Sequence, residues 1–470
     1  MSTSTTSSCR LATKPLSLAI LAGALFLGTS SQALAESSLS NQKGAVQLSA
    51  SLSHGTLPNH ASSEVYASIK MTGSAFVSED RAPLNVSLVM DRSSSMAGEK
   101  IKQSRQAALK FLEQLGPSDR ISIISYGSDV SVESSPMYVT EKNRETLRGI
   151  IRELSVGGMT NLSGGFQQGC DLVASSLEKG SVNRVILMSD GVANRGVTEP
   201  LQLAGLAGEC YERGVSSTTI GLGLGYNEDV MTQMAVAGAG NYYFIDDEEA
   251  MASVFQQEAT GLSATVARSA SLEIELGKGV ELLKLHGYKY KEKGNKVTVS
   301  LAEFSSKQKK DVLMRLSVSA QESGERSVIG VKLVYEDLLD AKKVVKKGDL
   351  TAAVSSDEKV VASHLDREVY THAQKLEVAQ TMTSAMNAYE KGDQKEAERL
   401  IQEQRTQMQQ AKERYALEGD DLEAFDRVDK ELDETNTVIQ NNAASSAPAQ
   451  RLRKAKKKRS YDIQKSESLF

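Results

Sequence analysis

Residues 83–98, which read PLNVSLVMDRSSSMAG, restrict the fold of this chain more than any other stretch. The apolar run from Leu84 to Met90 has no helical stripe, so it predicts a short buried strand. Asp91, Ser93 and Ser95 follow directly, just before an amphipathic helix. A carboxylate and two hydroxyls therefore gather at the carboxyl end of a parallel strand, where open α/β sheets bind their ligands. Hard oxygen donors of this kind suit Mg²⁺.

A simpler interpretation of the same loop is a capped turn, in which Ser93 or Ser95 begins the following helix. Two further segments favour a ligand site. Thr160 lies just before another predicted helix, and a second buried strand ends at Asp190. In a doubly wound sheet of strand order 3-2-1-4-5, the strands that end at Asp91 and Asp190 are neighbours at the topological switch point. Ordinary topology therefore brings the two aspartates together.

With these residues identified, the segment of residues 83–261 resembles a von Willebrand factor type A (VWA) domain. Five positions match the metal-ion-dependent adhesion site of that family: Asp91, Ser93, Ser95, Thr160 and Asp190. The resemblance implies a bound Mg²⁺, or Mn²⁺ or Ca²⁺, whose coordination is completed by an acidic side chain of a protein partner. Ser94 stands where many relatives have glycine, which puts the geometry of the loop in question.

Segments on both sides of this domain alternate apolar and polar residues with period two, which is typical of strands with one buried face. Residues 36–82 contain two such runs and residues 262–354 contain four. A lone hairpin is not stable in water. We therefore predict one β-sandwich built from both segments, with a doubly wound, mostly parallel α/β sheet inserted between its strands. Two separate small β units are the alternative.

Residues 1–35 have the features of a cleaved signal peptide: a basic start, an apolar core from Leu16 to Leu27 and the small-residue pattern Ala33-Leu34-Ala35. The apolar core is short for a membrane span. We expect a periplasmic or secreted protein; a retained signal anchor is the alternative.

Two cysteines, Cys170 and Cys210, remain after removal of that segment. They fall in the helices before and after the strand that ends at Asp190, and both helices lie on the same face of the predicted sheet. Export makes oxidation available. Two interpretations remain: the cysteines form a disulfide bond with each other, or both are buried free thiols.

The C-terminal part is helical by its apolar stripes, so residues 355–442 predict a helical unit. Residues 443–470 contain the basic run from Arg451 to Arg459 and are predicted to be a disordered tail. The functional alternative for this tail is a weak electrostatic contact with an anionic membrane.

The composition narrows the classes of function. A formal net charge of −5 argues against nucleic-acid binding. The five histidines show neither zinc-ligand spacing nor a partner for a nucleophilic serine, so we do not expect an enzyme. The predicted function is an exported, metal-dependent protein-binding module. The alternatives are an envelope assembly or scaffold factor acting through the helical unit and, third, a metal-dependent hydrolase.

Overall fold

The secondary structure changes character three times along the chain, from strands to alternating strands and helices, back to strands, and finally to helices. The computed structural model describes residues 43–59, 61–75, 81–247, 250–320, 324–415 and 417–465, all of which belong to one compact unit. The predicted signal peptide lies outside the described residues. No helix in the described ranges is long and apolar enough to span a membrane.

The strands, in chain order, are β1 (Val46–Leu52), β2 (Thr56–Pro58), β3 (Ala61–Gly73), β4 (Leu84–Asp91), β5 (Arg120–Tyr126), β6 (Val130–Tyr138), β7 (Val182–Ser189), β8 (Ser216–Leu222), β9 (Ala239–Ile245), β10 (Thr265–Leu276), β11 (Val280–Leu285), β12 (Tyr290–Lys293), β13 (Lys296–Ser305), β14 (Lys309–Ala320), β15 (Gly324–Asp337) and β16 (Lys342–Ser355). The helices are α1 (Glu99–Gln114), α2 (Glu141–Glu153), α3 (Leu162–Ala174), α4 (Pro200–Glu212), α5 (Glu228–Ala237), α6 (Met251–Ser263), α7 (Glu358–Ser363), α8 (Arg367–Glu390), α9 (Gln394–Tyr415), α10 (Gly419–Asn441) and α11 (Ala447–Lys465).

Strands from both sides of the α/β segment form a β-sandwich, as predicted. One sheet has the order β1-β3-β14-β11 and the other β12-β13-β10-β15-β16-β2. The long pairing of β3 with β14 is antiparallel and joins strands that lie more than 200 residues apart in sequence. A single apolar core fills the space between the two sheets. The α/β segment is therefore an insertion between β3 and β10.

The inserted domain is a six-stranded sheet of order β6-β5-β4-β7-β8-β9. All neighbouring pairs are parallel except β5 with the edge strand β6. The strands β4 and β7 are buried along their whole length, because helices cover both faces of the sheet. A buried ion pair between Arg184 in β7 and Glu303 in β13, 3.0 Å apart, fixes the insert on the sandwich.

The C-terminal helices differ from the sequence-based prediction in one important respect. The apolar stripes lie on α8, α9 and α10, which pack around a common core. The basic segment, however, is not a disordered tail: residues 447–465 form α11, and Lys454 within it is fully buried. The reason is that acidic residues of α5 and α10 neutralise its cations, as the ion pairs of Lys454 with Glu228 and of Lys456 with Glu431 show. Its paired charges also leave little basis for membrane docking.

Candidate functional site

Two parallel strands bring the predicted aspartates to the same edge of the inserted sheet. β4 and β7 are neighbours, with Met90 opposite Met188; Asp91 is the last residue of β4, and Asp190 directly follows the last residue of β7. Both side chains are buried. The position is the switch point of the sheet, where the chain leaves β4 toward one side and β7 toward the other. The topology predicted from sequence thus places both carboxylates as expected.

The loop after β4 folds back on its own aspartate. The backbone N–H of Ser93 donates to Oδ1 of Asp91 at 2.8 Å, and the hydroxyls of Ser93 and Ser95 lie 3.0 Å apart. The Ser95 hydroxyl donates to Oδ1 of Asp190 at 2.7 Å and so connects the two strands. Ser94 begins a short 3₁₀ turn and is not among the residues with a positive φ, the conformation that favours glycine. Serine in place of glycine therefore leaves the loop unstrained.

Thr160 reaches the same place from the opposite loop. Its backbone N–H donates to Oδ1 of Asn194 at 2.7 Å, which fixes the loop before α3 to the loop after Asp190. Gly191 lies between two of the hydroxyls: a Cβ added there would be 3.5 Å from Oγ of Ser95 and 3.6 Å from Oγ1 of Thr160. The absence of a side chain at Gly191 leaves space between these oxygens.

Close packing of α3 against the sheet sets the position of the Thr160 loop. A Cβ at Gly165 would lie 2.7 Å from Cδ1 of Tyr126, and one at Gly169 would lie 2.5 Å from Cγ2 of Val89. Glycine at both positions therefore allows the helix to approach β4 and β5 closely. The Tyr126 hydroxyl also donates to the carbonyl oxygen of Met188 at 2.6 Å, which ties β5 to the strand of the second aspartate.

A disulfide bond joins Cys170 of α3 to Cys210 of α4, with the two Cα atoms 6.0 Å apart. These helices lie on the same face of the sheet and flank the strand β7 on either side in sequence. The bond therefore links the helix that follows Thr160 to the helix that follows the Asp190 loop.

The electrostatics of the two aspartates differ. Burial raises the pKa of Asp91, and this exceeds the opposing effect of hydrogen bonds from Ser93 and Ser189. Asp190 instead has a cationic neighbour: Nζ of Lys100 lies 2.7 Å from its Oδ2. A cation bound between the two carboxylates would favour their charged forms.

The donor set fits a small divalent cation. All five predicted residues carry oxygen and converge at one edge, with two carboxylates among three hydroxyls, which is the ligand chemistry that Mg²⁺ prefers. Within the part of the chain that the structure describes, no group of three or more His, Cys, Asp or Glu side chains has the arrangement of a metal site. A hydroxyl-rich site with two carboxylates does not belong to that class.

Three residues that contact the site were missed in the sequence. They are Lys100, which pairs with Asp190; Ser189, whose hydroxyl donates to Oδ2 of Asp91 at 2.9 Å; and Asn194, which holds Thr160. Of these three, Lys100 could have been noticed in the sequence, because it lies in the first turn of α1, where the helix dipole disfavours a cation.

Comparison with known proteins agrees with the fold of the inserted domain. Residues 85–257 match the von Willebrand factor type A domain, so the inserted domain is a VWA domain. The uncharacterized protein YfbK of Escherichia coli K12 is 28% identical over 200 residues, which cover 42% of this chain and 34% of that protein. Inter-alpha-trypsin inhibitor heavy chain H1 of Sus scrofa is 27% identical over 274 residues, covering 56% and 29% respectively. The chain therefore spans about a third of the length of these two relatives.

Two solved structures share the fold over a larger part of the chain. A von Willebrand factor type A protein from Catenulispora acidiphila superposes with a TM-score of 0.65 at 15% identity, covering 78% of this chain and 89% of that one. The ArnB paralog VWA2 from Sulfolobus acidocaldarius superposes with a TM-score of 0.59 at 18% identity, covering 90% and 99%. The likeness in fold thus extends beyond the VWA domain.

Proposed function

We propose that this protein binds a partner protein through a divalent cation held at the edge of its VWA domain. Asp91, Ser93, Ser95, Thr160 and Asp190 would hold the cation, which is Mg²⁺ or, failing that, Mn²⁺ or Ca²⁺. The convergence of these five oxygen-bearing side chains on one switch point is the observation that carries the proposal. VWA domains commonly mediate metal-dependent protein–protein interaction.

The balance of charge in the donor set favours binding of an anion from the partner. Asp91 and Asp190 supply two carboxylates, whereas the three hydroxyl donors are neutral. A bound divalent cation would therefore not be over-neutralised and would remain attractive to one more carboxylate. We infer that an aspartate or glutamate side chain of the partner completes the coordination.

The surface around the site has the character of an interface. Met159, next to Thr160, and Val192, two residues after Asp190, are exposed to 45% and 55%. Arg195 on the same loop is also exposed and forms an ion pair with the exposed Asp129, 3.5 Å away. Exposed apolar residues beside the cation site suit a partner segment that carries an acidic residue among apolar neighbours.

Binding is favoured over catalysis by what surrounds the cation site. The described histidines, His54, His286, His364 and His372, lie in the sandwich and the C-terminal helices rather than among the site residues. Hydrolysis would require a base close to a metal-bound water.

We also propose that the protein is exported, because disulfides such as Cys170–Cys210 are typical of oxidising compartments.

The experiment is capture of a partner from envelope extract by the immobilised protein in Mg²⁺, followed by elution with EDTA. Thr160→Ala removes one neutral donor, and Thr146→Ala, on the exposed face of α2, is the matched control. We expect elution by EDTA from the wild type and from Thr146→Ala, and loss of capture by Thr160→Ala. Undiminished capture in EDTA by folded protein would show that the partner docks elsewhere.

A further inference from the structure

Lys100 makes a contact that the proposed function does not explain. Its Nζ lies 2.7 Å from Oδ2 of Asp190, while the Ser95 hydroxyl donates to Oδ1 of the same carboxylate at 2.7 Å. The side chain of Asp190 is fully buried, and that of Lys100 is 28% exposed. Both oxygens of a predicted metal ligand are therefore already engaged by donors of the chain itself.

The place of Lys100 in its helix indicates that this contact has a role of its own. It is the second residue of α1, where the positive end of the helix dipole disfavours a cation. Lys102, two residues further along the same helix, is 61% exposed and pairs with Glu99 on the surface of the helix. Of these two lysines, Lys100 is the one that contacts the buried carboxylate. A residue that is unfavourable for local structure often serves function.

A charge argument gives the direction of the effect. The ammonium compensates a buried carboxylate that would otherwise be costly without a bound cation. The same ammonium opposes a divalent cation twice, because it occupies one oxygen of Asp190 and repels a second positive charge nearby. The contact therefore stabilises the metal-free protein and weakens its affinity for metal.

We propose that Lys100 is an internal competitor of the divalent cation: its ammonium holds Asp190 in the metal-free protein and is displaced when the cation binds. This inference rests on the metal site of the proposed function and adds that its affinity is set by the chain's own lysine. Since the effect is one of charge, it applies alike to Mg²⁺, Mn²⁺ and Ca²⁺.

The test compares the Mg²⁺ affinity of the full-length protein with that of three variants, measured by isothermal titration calorimetry. Lys100→Met removes the charge, Lys100→Arg keeps it, and Lys102→Met is the matched control on the same helix. A neighbouring charge changes the affinity of a carboxylate for a proton by about ten- to a thousandfold. We accordingly expect Lys100→Met to bind Mg²⁺ at least about tenfold more tightly than the wild type. The Mg²⁺ affinities of Lys100→Arg and Lys102→Met should stay close to that of the wild type.

A second readout uses thermal melting. In EDTA, Lys100→Met should melt below the wild type, because Asp190 loses its cationic partner and keeps only the hydrogen bond from Ser95, whereas its stabilisation by Mg²⁺ should be larger. If Lys100→Met does not fold, Lys100→Gln provides the same test, since its amide can still donate to Asp190 without a charge. Equal or weaker Mg²⁺ binding by the uncharged variant would overturn the proposal. If the wild type and every variant fail to bind Mg²⁺, the metal site itself is wrong, and the competitor role falls with it.

Discussion

The ammonium of Lys454 in α11 lies 3.8 Å from the centre of the Tyr226 ring and donates to the backbone carbonyl oxygen of that same residue at 2.8 Å. The lysine also forms an ion pair with Glu228 at the start of α5, at 2.7 Å. Further along α11, the Tyr461 hydroxyl donates to the carbonyl oxygen of Gly240 in β9. The basic C-terminal segment is thus a structural part of the VWA domain's surface.

Glu228 makes the stability of this contact dependent on pH. Burial raises its pKa, but the attraction of Lys454 and Lys457 outweighs burial and lowers the pKa to about 2. A carboxylate whose pKa is lowered in the folded state stabilises that state, and the full contribution is present when the pH is above the pKa of the unfolded chain, near 4.5. The contribution is lost as the pH falls toward the folded-state pKa of about 2. The corresponding free energy at neutral pH is on the order of 3 kcal/mol.

We therefore predict that Glu228→Gln lowers the free energy of unfolding by on the order of 3 kcal/mol at pH 7. The difference from the wild type should shrink as pH is lowered below about 4.5. Urea unfolding followed by circular dichroism between pH 7 and pH 3 measures it. The control is Glu281→Gln, at an exposed glutamate of β11. A difference that stays constant with pH would contradict the assignment to this carboxylate.

Much of the fold could be predicted because its signals are local. The apolar run of β4 and the alternating strands on both flanks each indicate a buried surface, and parallel topology then brings Asp91 and Asp190 together. The strand β16 was missed because lysines interrupt its alternation. One of them, Lys346, is buried and donates to the carbonyl oxygen of Val46 at 2.5 Å.

The errors share a physical cause, which is that charged side chains take their partners from distant parts of the chain. The sequence predicted a solvated tail at Lys454, yet its partner Glu228 is 226 residues away. Lys100 and Asp190 are likewise 90 residues apart. Hydrophobic periodicity reports which face of an element is buried, but it carries no information on which carboxylate a lysine will meet.

The metal site makes a direct prediction for stability. A ligand that binds only the folded state stabilises it by about 2.7 kcal/mol at a hundredfold excess over the dissociation constant. We expect Mg²⁺ to raise the melting temperature of the wild type relative to EDTA, and Asp91→Asn to abolish that response. Asp129→Asn, at an exposed aspartate of the neighbouring loop, should retain it. Equal responses in wild type and Asp91→Asn would contradict the ligand assignment.

The disulfide between Cys170 and Cys210 closes a loop with a sequence separation of 40 residues. Cross-links of this kind stabilise by about 2–4 kcal/mol, chiefly by restricting the unfolded chain. The double variant Cys170→Ala/Cys210→Ala should therefore unfold at lower urea concentration than the oxidised wild type and close to the reduced wild type. Intact mass after alkylation without reductant is the direct check. Two alkylated cysteines in freshly purified protein would rule the bond out.

The packing of α3 makes a prediction from two glycines. At Gly169 an added Cβ would lie 2.5 Å from Cγ2 of Val89, whereas at Gly149 in α2 nothing lies within 4 Å. Gly169→Ala should destabilise by about 1–3 kcal/mol through overpacking. Gly149→Ala should instead stabilise by about 1 kcal/mol, because alanine favours the helix. Chemical unfolding of both variants measures the pair, and equal effects would show that α3 does not pack as tightly as described.

The apolar rim of the site should contribute to partner affinity without contributing to metal binding. Met159 and Val192 flank Thr160 and Asp190 in sequence, and their exposed side chains are available to a partner whose carboxylate reaches the cation. Losing a buried methionine-sized contact at an interface costs on the order of 1–2 kcal/mol, which is about a tenfold loss of affinity. Met159→Ser and Val192→Ser should therefore weaken capture of the partner while leaving the Mg²⁺-induced rise in melting temperature unchanged.

Leu283→Ser is the control for Met159→Ser and Val192→Ser. Leu283 is an apolar residue of similar exposure, 46%, on strand β11 of the sandwich. Surface binding to the captured partner in Mg²⁺ gives the affinities, and melting in Mg²⁺ and EDTA gives the metal response of the same samples. Weakened capture by all three variants would indicate a general loss of solubility or fold. Weakened capture by Leu283→Ser alone would place the partner on the sandwich. We expect weakened capture by Met159→Ser and Val192→Ser alone, with an intact Mg²⁺ response. That result would show that the protein binds the partner's acidic residue together with its apolar neighbours.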